Sequence, residues 1–206
     1  MKDPAGSRQG AVREVSLQDR DALARGDAAA VEAFYRDNAR TVLRWVIRLG
    51  GPGIDAEDTA HDVFVVALRS VGRYRPEHRP EAWLFGITRR VVANARRRAW
   101  FRRVVDLDRE PESPEVGADV RLDRLRRRRL VQDVLETLSE AHREVLVLTD
   151  LDGRTAPEVA EILGISVGTV YSRVHHARKR FAEALGAGRS ALDHAALREA
   201  LLEEDR

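Results

Sequence analysis

Residues 155–181, TAPEVAEILGISVGTVYSRVHHARKRF, contain two helix-forming segments separated by a short turn. The stretch Thr155–Glu158 has the spacing of a capping box, which predicts that a helix begins here. Apolar residues then recur at helical spacing until Gly164, a residue type that commonly ends helices. Ser166 is a second candidate N-cap, and the apolar positions within Val170–Phe181 recur every three or four residues. The stretch therefore predicts two short helices joined by a tight turn, the helix-turn-helix arrangement.

The second predicted helix carries cations and histidines, and residues 164–181 contain no carboxylate. With its apolar stripe turned inward, helical periodicity places small polar groups, histidines and cations on the outer face and its flanks. Such groups bind phosphates and base edges, and the lack of acids avoids repulsion from DNA. We therefore predict DNA contact; the alternative is a solvated helix end whose cations complement the helix dipole. The candidate DNA-binding residues are Gly168, Thr169, Tyr171, Ser172, Arg173, His175, His176 and Lys179.

Between residues 122 and 148 the apolar spacing predicts further helices, with Ser139 as a candidate N-cap. Further upstream it predicts three more helices and no strand, so the fold class is all-α. The first has an apolar stripe that includes Tyr35 and ends before Gly50 and Gly51. Asp55 is the candidate N-cap of the second, and the third runs from about Trp83 into a basic end.

That basic end has seven arginines and no acid between residues 89 and 103, with Trp100 and Phe101 among them. Arginines can follow a nucleic-acid backbone, and aromatic rings can stack on unpaired bases. The alternative is that the aromatic residues are core and the arginines form a solvated rim. We favour nucleic-acid binding for the arginines, and a core position for Trp83 and Phe85.

Residues 106–121, DLDREPESPEVGADVR, have six acids, two prolines and few large apolar groups. Such a composition cannot bury enough apolar surface to offset the entropy of ordering, which predicts a flexible acidic linker. The chain is thus predicted to be two small helical domains joined by this linker. The predicted parts are a flexible N-terminal tail (1–19), a first helical domain (20–105), the linker (106–121), a helix-turn-helix domain (122–186) and a C-terminal extension (187–206).

The composition excludes several classes. No cysteine is present, which removes disulfide scaffolds and thiolate metal sites. The N-terminus lacks the apolar run of a signal peptide, and no stretch is apolar enough to span a membrane, so a cytoplasmic protein is expected. Glycine-rich phosphate loops and HExxH motifs are absent from the sequence, so we expect neither enzymatic activity nor a metal, a cofactor or a small-molecule substrate.

Both helical blocks resemble bacterial sigma factors of the sigma-70 family, in particular the small extracytoplasmic-function (ECF) class. AEILGISVGTVYSRVHHAR resembles the promoter-reading domain of that family. LARGDAAAVEAFYRDNARTVLRWV, DAEDTAHDVFVVALRSVGRYRP and EAWLFGITRRVVANARRR resemble, in order, its polymerase-binding and melting domain. The resemblance covers about residues 20–186 and implies a subunit that binds core RNA polymerase, recognises the −35 and −10 promoter elements and promotes strand opening.

The resemblance also assigns roles to residues. It implies that the second helix contacts core polymerase through Asp58, His61 and Asp62, although four acids early in a helix also suit its dipole. It assigns the third helix, and the loop at about 74–82, to the −10 element. The residues that carry this assignment are Arg89, Arg90, Arg96, Arg97 and Arg98. Arg90 stands where the family commonly has Asn, so its base preference does not transfer.

The implied partners are core RNA polymerase, promoter DNA and an anti-sigma factor. An alternative function is a stand-alone helix-turn-helix regulator that binds DNA as a dimer. That alternative gives no role to the acidic helix start or to the arginine cluster. No coiled-coil seam in the sequence supports a dimer either.

Overall fold

The structure, a computed structural model, describes residues 17–75, 79–105 and 131–184. Within these ranges the secondary structure is helical, as the apolar periodicity predicts. The first block contains α1 (Leu17–Ala24), α2 (Ala28–Gly50), α3 (Ala56–Ser70), a 3₁₀ turn (Val71–Arg73) and α4 (Pro80–Val105). The second contains α5 (131–137), α6 (Glu140–Leu146), a π-helical turn (Val147–Leu151), α7 (Ala156–Leu163) and α8 (Val167–Ala184).

The first block is a bundle in which α2, α3 and α4 pack against one another. Asp55 caps α3 as expected, since its carboxylate accepts a hydrogen bond from the Asp58 backbone N–H at 2.9 Å. Phe85 is fully buried and meets Trp45 edge-on, with ring centroids 5.0 Å apart. The long α4 therefore has one face in the core.

Tyr35 departs from the expected apolar stripe of α2. It is 49% exposed. Its ring lies 4.7 Å from that of Phe64, so the phenol covers the core from outside. A tyrosine suits this half-exposed position, because its ring packs on the core while its hydroxyl remains in water.

The second block forms the helix-turn-helix. Ser139 caps α6, and the Glu158 carboxylate accepts a hydrogen bond from the Thr155 backbone N–H at 2.9 Å, so α7 begins where the sequence predicts. Gly164 ends α7 in the left-handed conformation, with φ of 66°. The inner stripe of α8, Val170, Val174, Ala177 and Phe181, is buried as expected.

The two blocks pack against each other and share a continuous apolar core. Contacts join α2 to α6 and the π-helical turn, and α4 to α7. The sequence carries no local signal for this packing. Of the predicted segments between and beyond the domains, the linker (106–121), residues 1–16 of the tail and the extension (187–206) lie outside the described residues.

Candidate nucleic-acid interface

The outer face of α8 is open to solvent. Tyr171 is 64% exposed, the largest exposure among the large apolar residues that the structure describes. Thr169 and Arg173 are half-buried at the flanks. The remaining predicted residues of this helix are exposed, namely Gly168, Ser172, His175, His176 and Lys179. One helix surface therefore brings hydroxyl, imidazole and ammonium groups together, and the first carboxylate on this face is Glu183, one turn beyond Lys179.

The first turn of α8 is held by its cap. The Ser166 hydroxyl accepts a hydrogen bond from the Thr169 backbone N–H at 3.1 Å and contacts the Thr169 hydroxyl at 2.8 Å. A Cβ placed on Gly168 would meet only the Ser166 Oγ, at 3.9 Å. The backbone at Gly168 thus presents a smooth surface to which a phosphate group can come close.

Histidines and arginines lie close together where α8 approaches α6. The rings of His175 and His176 are 5.5 Å apart, and His176 lies 6.3 Å from the His142 ring of α6. Burial lowers the pKa of His142, and the neighbouring charges of Arg180, His176 and Arg173 lower it further. The positive charge around His142 therefore disfavours protonation of its imidazole. DNA phosphates would complement this positive surface.

Arg178 forms an ion pair within its own domain. Its guanidinium binds the Asp150 carboxylate through two hydrogen bonds, of 2.9 and 2.6 Å. These hydrogen bonds to Asp150 raise the pKa of Arg178. The pair ties α8 to the π-helical turn.

The predicted arginines of α4 point in three directions. At about 100° per residue, Arg89 and Arg96 share one face, and Arg90 and Arg97 share a second. Arg98 points towards α3, where it lies 3.6 Å from the Asp62 carboxylate. The five arginines thus form two pairs about 100° apart around α4, and Arg98 lies about 100° beyond Arg97.

The two α4 pairs differ in their partners. Arg96 donates to the Leu49 carbonyl at the end of α2, at 3.0 Å, and is half-buried. Arg90 and Arg97 are exposed and make contacts within their own helix, to the Gly86 carbonyl and the Asn94 side chain. Arg90 and Arg97 therefore present the more accessible cations.

Trp100 and Phe101 lie at the far end of α4 and are 59% and 55% exposed. Their rings meet edge-on, with centroids 5.1 Å apart. The expectation that the aromatics of α4 divide between core and surface is met, since Phe85 is buried and Trp83 partly buried. Two exposed rings among arginines form a surface on which bases can stack.

The predicted polymerase contact lies on the exposed side of α3. Asp58, His61 and Asp62 are all exposed. Their positions span roughly 100° of the helix circumference, so they form one acidic surface.

Sequence reasoning missed the charged side chains that join the two blocks. Arg48 of α2 and Asp152 form an ion pair of 2.7 Å, and both side chains are 3% exposed. The Trp45 indole N–H donates to the same carboxylate at 2.6 Å. Arg154 pairs with Glu81 at the start of α4, again in a buried position. No spacing rule finds such pairs, because their partners are 73 to 107 residues apart in the chain.

No group of three or more histidine, aspartate or glutamate side chains that could hold a metal ion occurs among residues 17–75, 79–105 and 131–184. In the same ranges, no helix has both the length and the apolar character that crossing a membrane requires.

Comparison with known families gives two matches. The family model for sigma-70 region 2 matches residues 34–102, and the model for sigma-70 region 4 matches residues 128–181. The first covers α3, most of α2 and most of α4. The second covers the helix-turn-helix.

Curated relatives span most of the chain. It is 33% identical over 155 residues to the ECF RNA polymerase sigma factor SigL of Mycobacterium tuberculosis, covering 75% of this chain and 88% of the relative. It is 32% identical over 164 residues to the RNA polymerase sigma factor CarQ of Myxococcus xanthus, covering 78% and 92%.

Solved structures agree with these matches. CnrH, solved in complex with the cytosolic domain of CnrY, has a TM-score of 0.61 and 27% identity, covering 83% of this chain and 97% of CnrH. The sigma factor RpoE of Bartonella quintana, solved with the anti-sigma factor NepR, has a TM-score of 0.54 and 25% identity, covering 73% and 93%. The chain therefore belongs to the ECF class of sigma-70 family RNA polymerase sigma factors.

Proposed function

We propose that the protein is a promoter-specificity subunit that binds core RNA polymerase, recognises the −35 and −10 promoter elements and promotes strand opening. The observation that carries the proposal is the presence of both sigma regions in one chain, in the family's order. It acts in the cytoplasm as a transcription initiation factor, and it performs no covalent chemistry of its own.

Recognition of the −35 element is assigned to α8. Its exposed face has the dimensions and the donors needed in a major groove, with Ser172 and His175 at its centre and Lys179 one turn further on. The Ser166 cap, which accepts from the Thr169 N–H, fixes the first turn of α8, where a helix N-terminus favours a phosphate. The residues assigned to this role are those predicted from the sequence, with the half-buried Arg173 at the edge.

Recognition of the −10 element is assigned to α4 and the loop before it. In this proposal Arg90 and Arg97, which are exposed, follow the phosphate backbone, and the exposed rings of Trp100 and Phe101 stack on bases that leave the duplex. Stacking and phosphate contacts offset the cost of unstacking, so the open strand is stabilised by capture.

Docking to core polymerase is assigned to the acidic surface of α3, formed by Asp58, His61 and Asp62. A regulatory partner is part of the proposal as well. The relative from Bartonella quintana was solved with an anti-sigma factor, and we infer that an anti-sigma protein controls this chain in the same way.

The test is transcription with core polymerase on fragmented genomic DNA, followed by sequencing of the start sites. Wild-type protein should co-migrate with core polymerase and yield starts that share two upstream elements. Lys179→Glu should retain co-migration and lose start-site selectivity, because it reverses charge on the outer face of α8. Arg25→Glu is the matched control, since Arg25 is exposed in the turn between α1 and α2. Failure of the wild-type protein to co-migrate, or a symmetric dimer by light scattering that ignores polymerase, would overturn the proposal.

A further inference from the structure

Carboxylates of the second domain lie on basic residues of the first. Arg79, just before α4, lies 3.0 Å from Glu161 and 3.6 Å from Glu158, both on α7. Arg89 of α4 lies 3.4 Å from Glu144 of α6. These rim contacts place acidic groups where the phosphates of a nucleic acid would lie on this surface.

The centre of the contact is buried and more strongly held. The Asp152 carboxylate accepts hydrogen bonds from the Trp45 indole and the Arg48 guanidinium of α2. Both side chains are only 3% exposed to water, so breaking this ion pair is costly.

Two further contacts between the domains have the cation in the second domain and the acceptor in the first. Arg154 of the second domain pairs with Glu81 of the first, and both side chains are less than a tenth exposed. Arg143 of α6 donates to the Leu49 carbonyl of α2 at 2.8 Å. Donors and acceptors thus alternate across the contact, which specifies a single relative orientation of the two domains.

This closed arrangement excludes promoter binding by both domains at once. Sites near −35 and −10 are separated by about 25 base pairs, or roughly 85 Å of duplex at about 3.4 Å per pair. The helix α8 is only about 27 Å long, and its domain lies directly against α4. In addition, Glu144 pairs with Arg89, one of the α4 arginines that the family resemblance assigns to the −10 element.

The covalent chain permits opening. Residues 106–130 separate the described parts of the two domains, and 25 residues can span at most about 85 Å. Closed and open forms are therefore both compatible with the connection.

We propose that the ion pairs Arg48–Asp152, Glu81–Arg154, Arg79–Glu161 and Arg89–Glu144 form an interdomain clasp that holds the free protein closed and must open before the promoter is bound. The inference rests on the proposed function for its consequence, and on the geometry alone for the clasp itself. If the closed form dominates, the apparent affinity for the promoter complex is reduced by the fraction of open molecules. The clasp thus sets a threshold concentration for initiation without any inhibitor.

The natural absence of cysteine makes the test direct. Glu32→Cys on α2 and Glu183→Cys on α8 place two labels on exposed positions of different domains, and energy transfer between them reports closure. The full-length chain should show high transfer when free, and low transfer after core polymerase and a promoter fragment are added.

Two variants separate the clasp from general damage. Asp152→Asn removes the buried charge, and the exposed Glu161→Lys reverses a rim charge with little risk to folding. Both should lower transfer in the free protein, and Asp152→Asn should lower the concentration for half-maximal initiation by about tenfold. Asp133→Asn, an exposed change of the same kind on α5, should leave both values unchanged.

The outcomes are distinct for the two proposals. Low transfer in the free wild-type protein, unaltered by either variant, would overturn the clasp, as would high transfer that persists in the promoter complex. Absence of initiation with high, variant-sensitive transfer in the free protein would overturn the proposed function and support the clasp.

Discussion

The guanidinium of Arg143 donates hydrogen bonds to C-terminal carbonyls of helices in both domains. It donates to the carbonyls of Leu135, Glu136 and Leu138 at the C-terminal end of α5, and to that of Leu49 near the end of α2. Burial, with the nearby charge of Arg96, lowers the pKa of Arg143 to about 10, which leaves it charged at neutral pH. Unsatisfied carbonyls at buried helix ends are costly, so this residue stabilises the junction of the two domains.

A substitution at Gly168 separates protein stability from DNA contact. Because Gly168 lies in the first turn of α8 and a Cβ there meets no close neighbour, Gly168→Ala should stabilise the fold by about 0.5–1 kcal/mol. The same methyl group should weaken promoter-specific initiation if the DNA backbone comes close at this point. Urea denaturation and run-off transcription measure the two effects.

The control for this substitution is Gly86→Ala on α4, where a Cβ also meets open space. It should show the same gain in stability. Full initiation by Gly168→Ala would show that the first turn of α8 lies away from the DNA.

At the scale of helices, the exposed end of α4 should act in strand opening. Replacing both Trp100 and Phe101 by Ala should change the free energy of unfolding little, because both rings are more than half exposed. It should slow strand opening, since base–aromatic stacking contributes about 1–3 kcal/mol per base. Permanganate reactivity of unpaired thymines at the promoter measures this step.

A template with a pre-opened, mismatched −10 region provides the control for the aromatic pair. It should restore initiation by the double variant towards the wild-type level, because the opening step is then supplied. Equal defects on duplex and pre-opened templates would place the rings in another role.

Helix ends and inner faces are the features that the sequence predicts well. The caps at Asp55, Ser139 and Ser166 and the stripe from Val170 to Phe181 are confirmed, because each depends on residues within one or two turns. The π-helical turn at Val147–Leu151 has no comparable local signal. It depends on packing of its buried residues against distant helices.

The candidate site follows the same division. Helical periodicity suffices to define the outer face of α8, so that surface could be predicted residue by residue. The α4 arginines formed one set in the sequence, yet their partners differ, because Glu144 and Asp62 come from other elements. Asp152 was missed entirely, since nothing near residue 152 indicates that its carboxylate meets Trp45 and Arg48.

For the molecule as a whole, a shared core and buried interdomain ion pairs imply that the two domains unfold together. Calorimetry of the wild-type protein should show a single cooperative transition, although each domain alone is small. Asp152→Asn removes the carboxylate that Arg48 and Trp45 bind, and breaking a buried ion pair costs about 3–5 kcal/mol in comparable sites. The variant should therefore separate the transition into two, one for each domain, whereas Asp133→Asn should retain one. Two transitions in the wild-type protein would show that the domains are energetically independent, and the closed arrangement would then contribute little to stability.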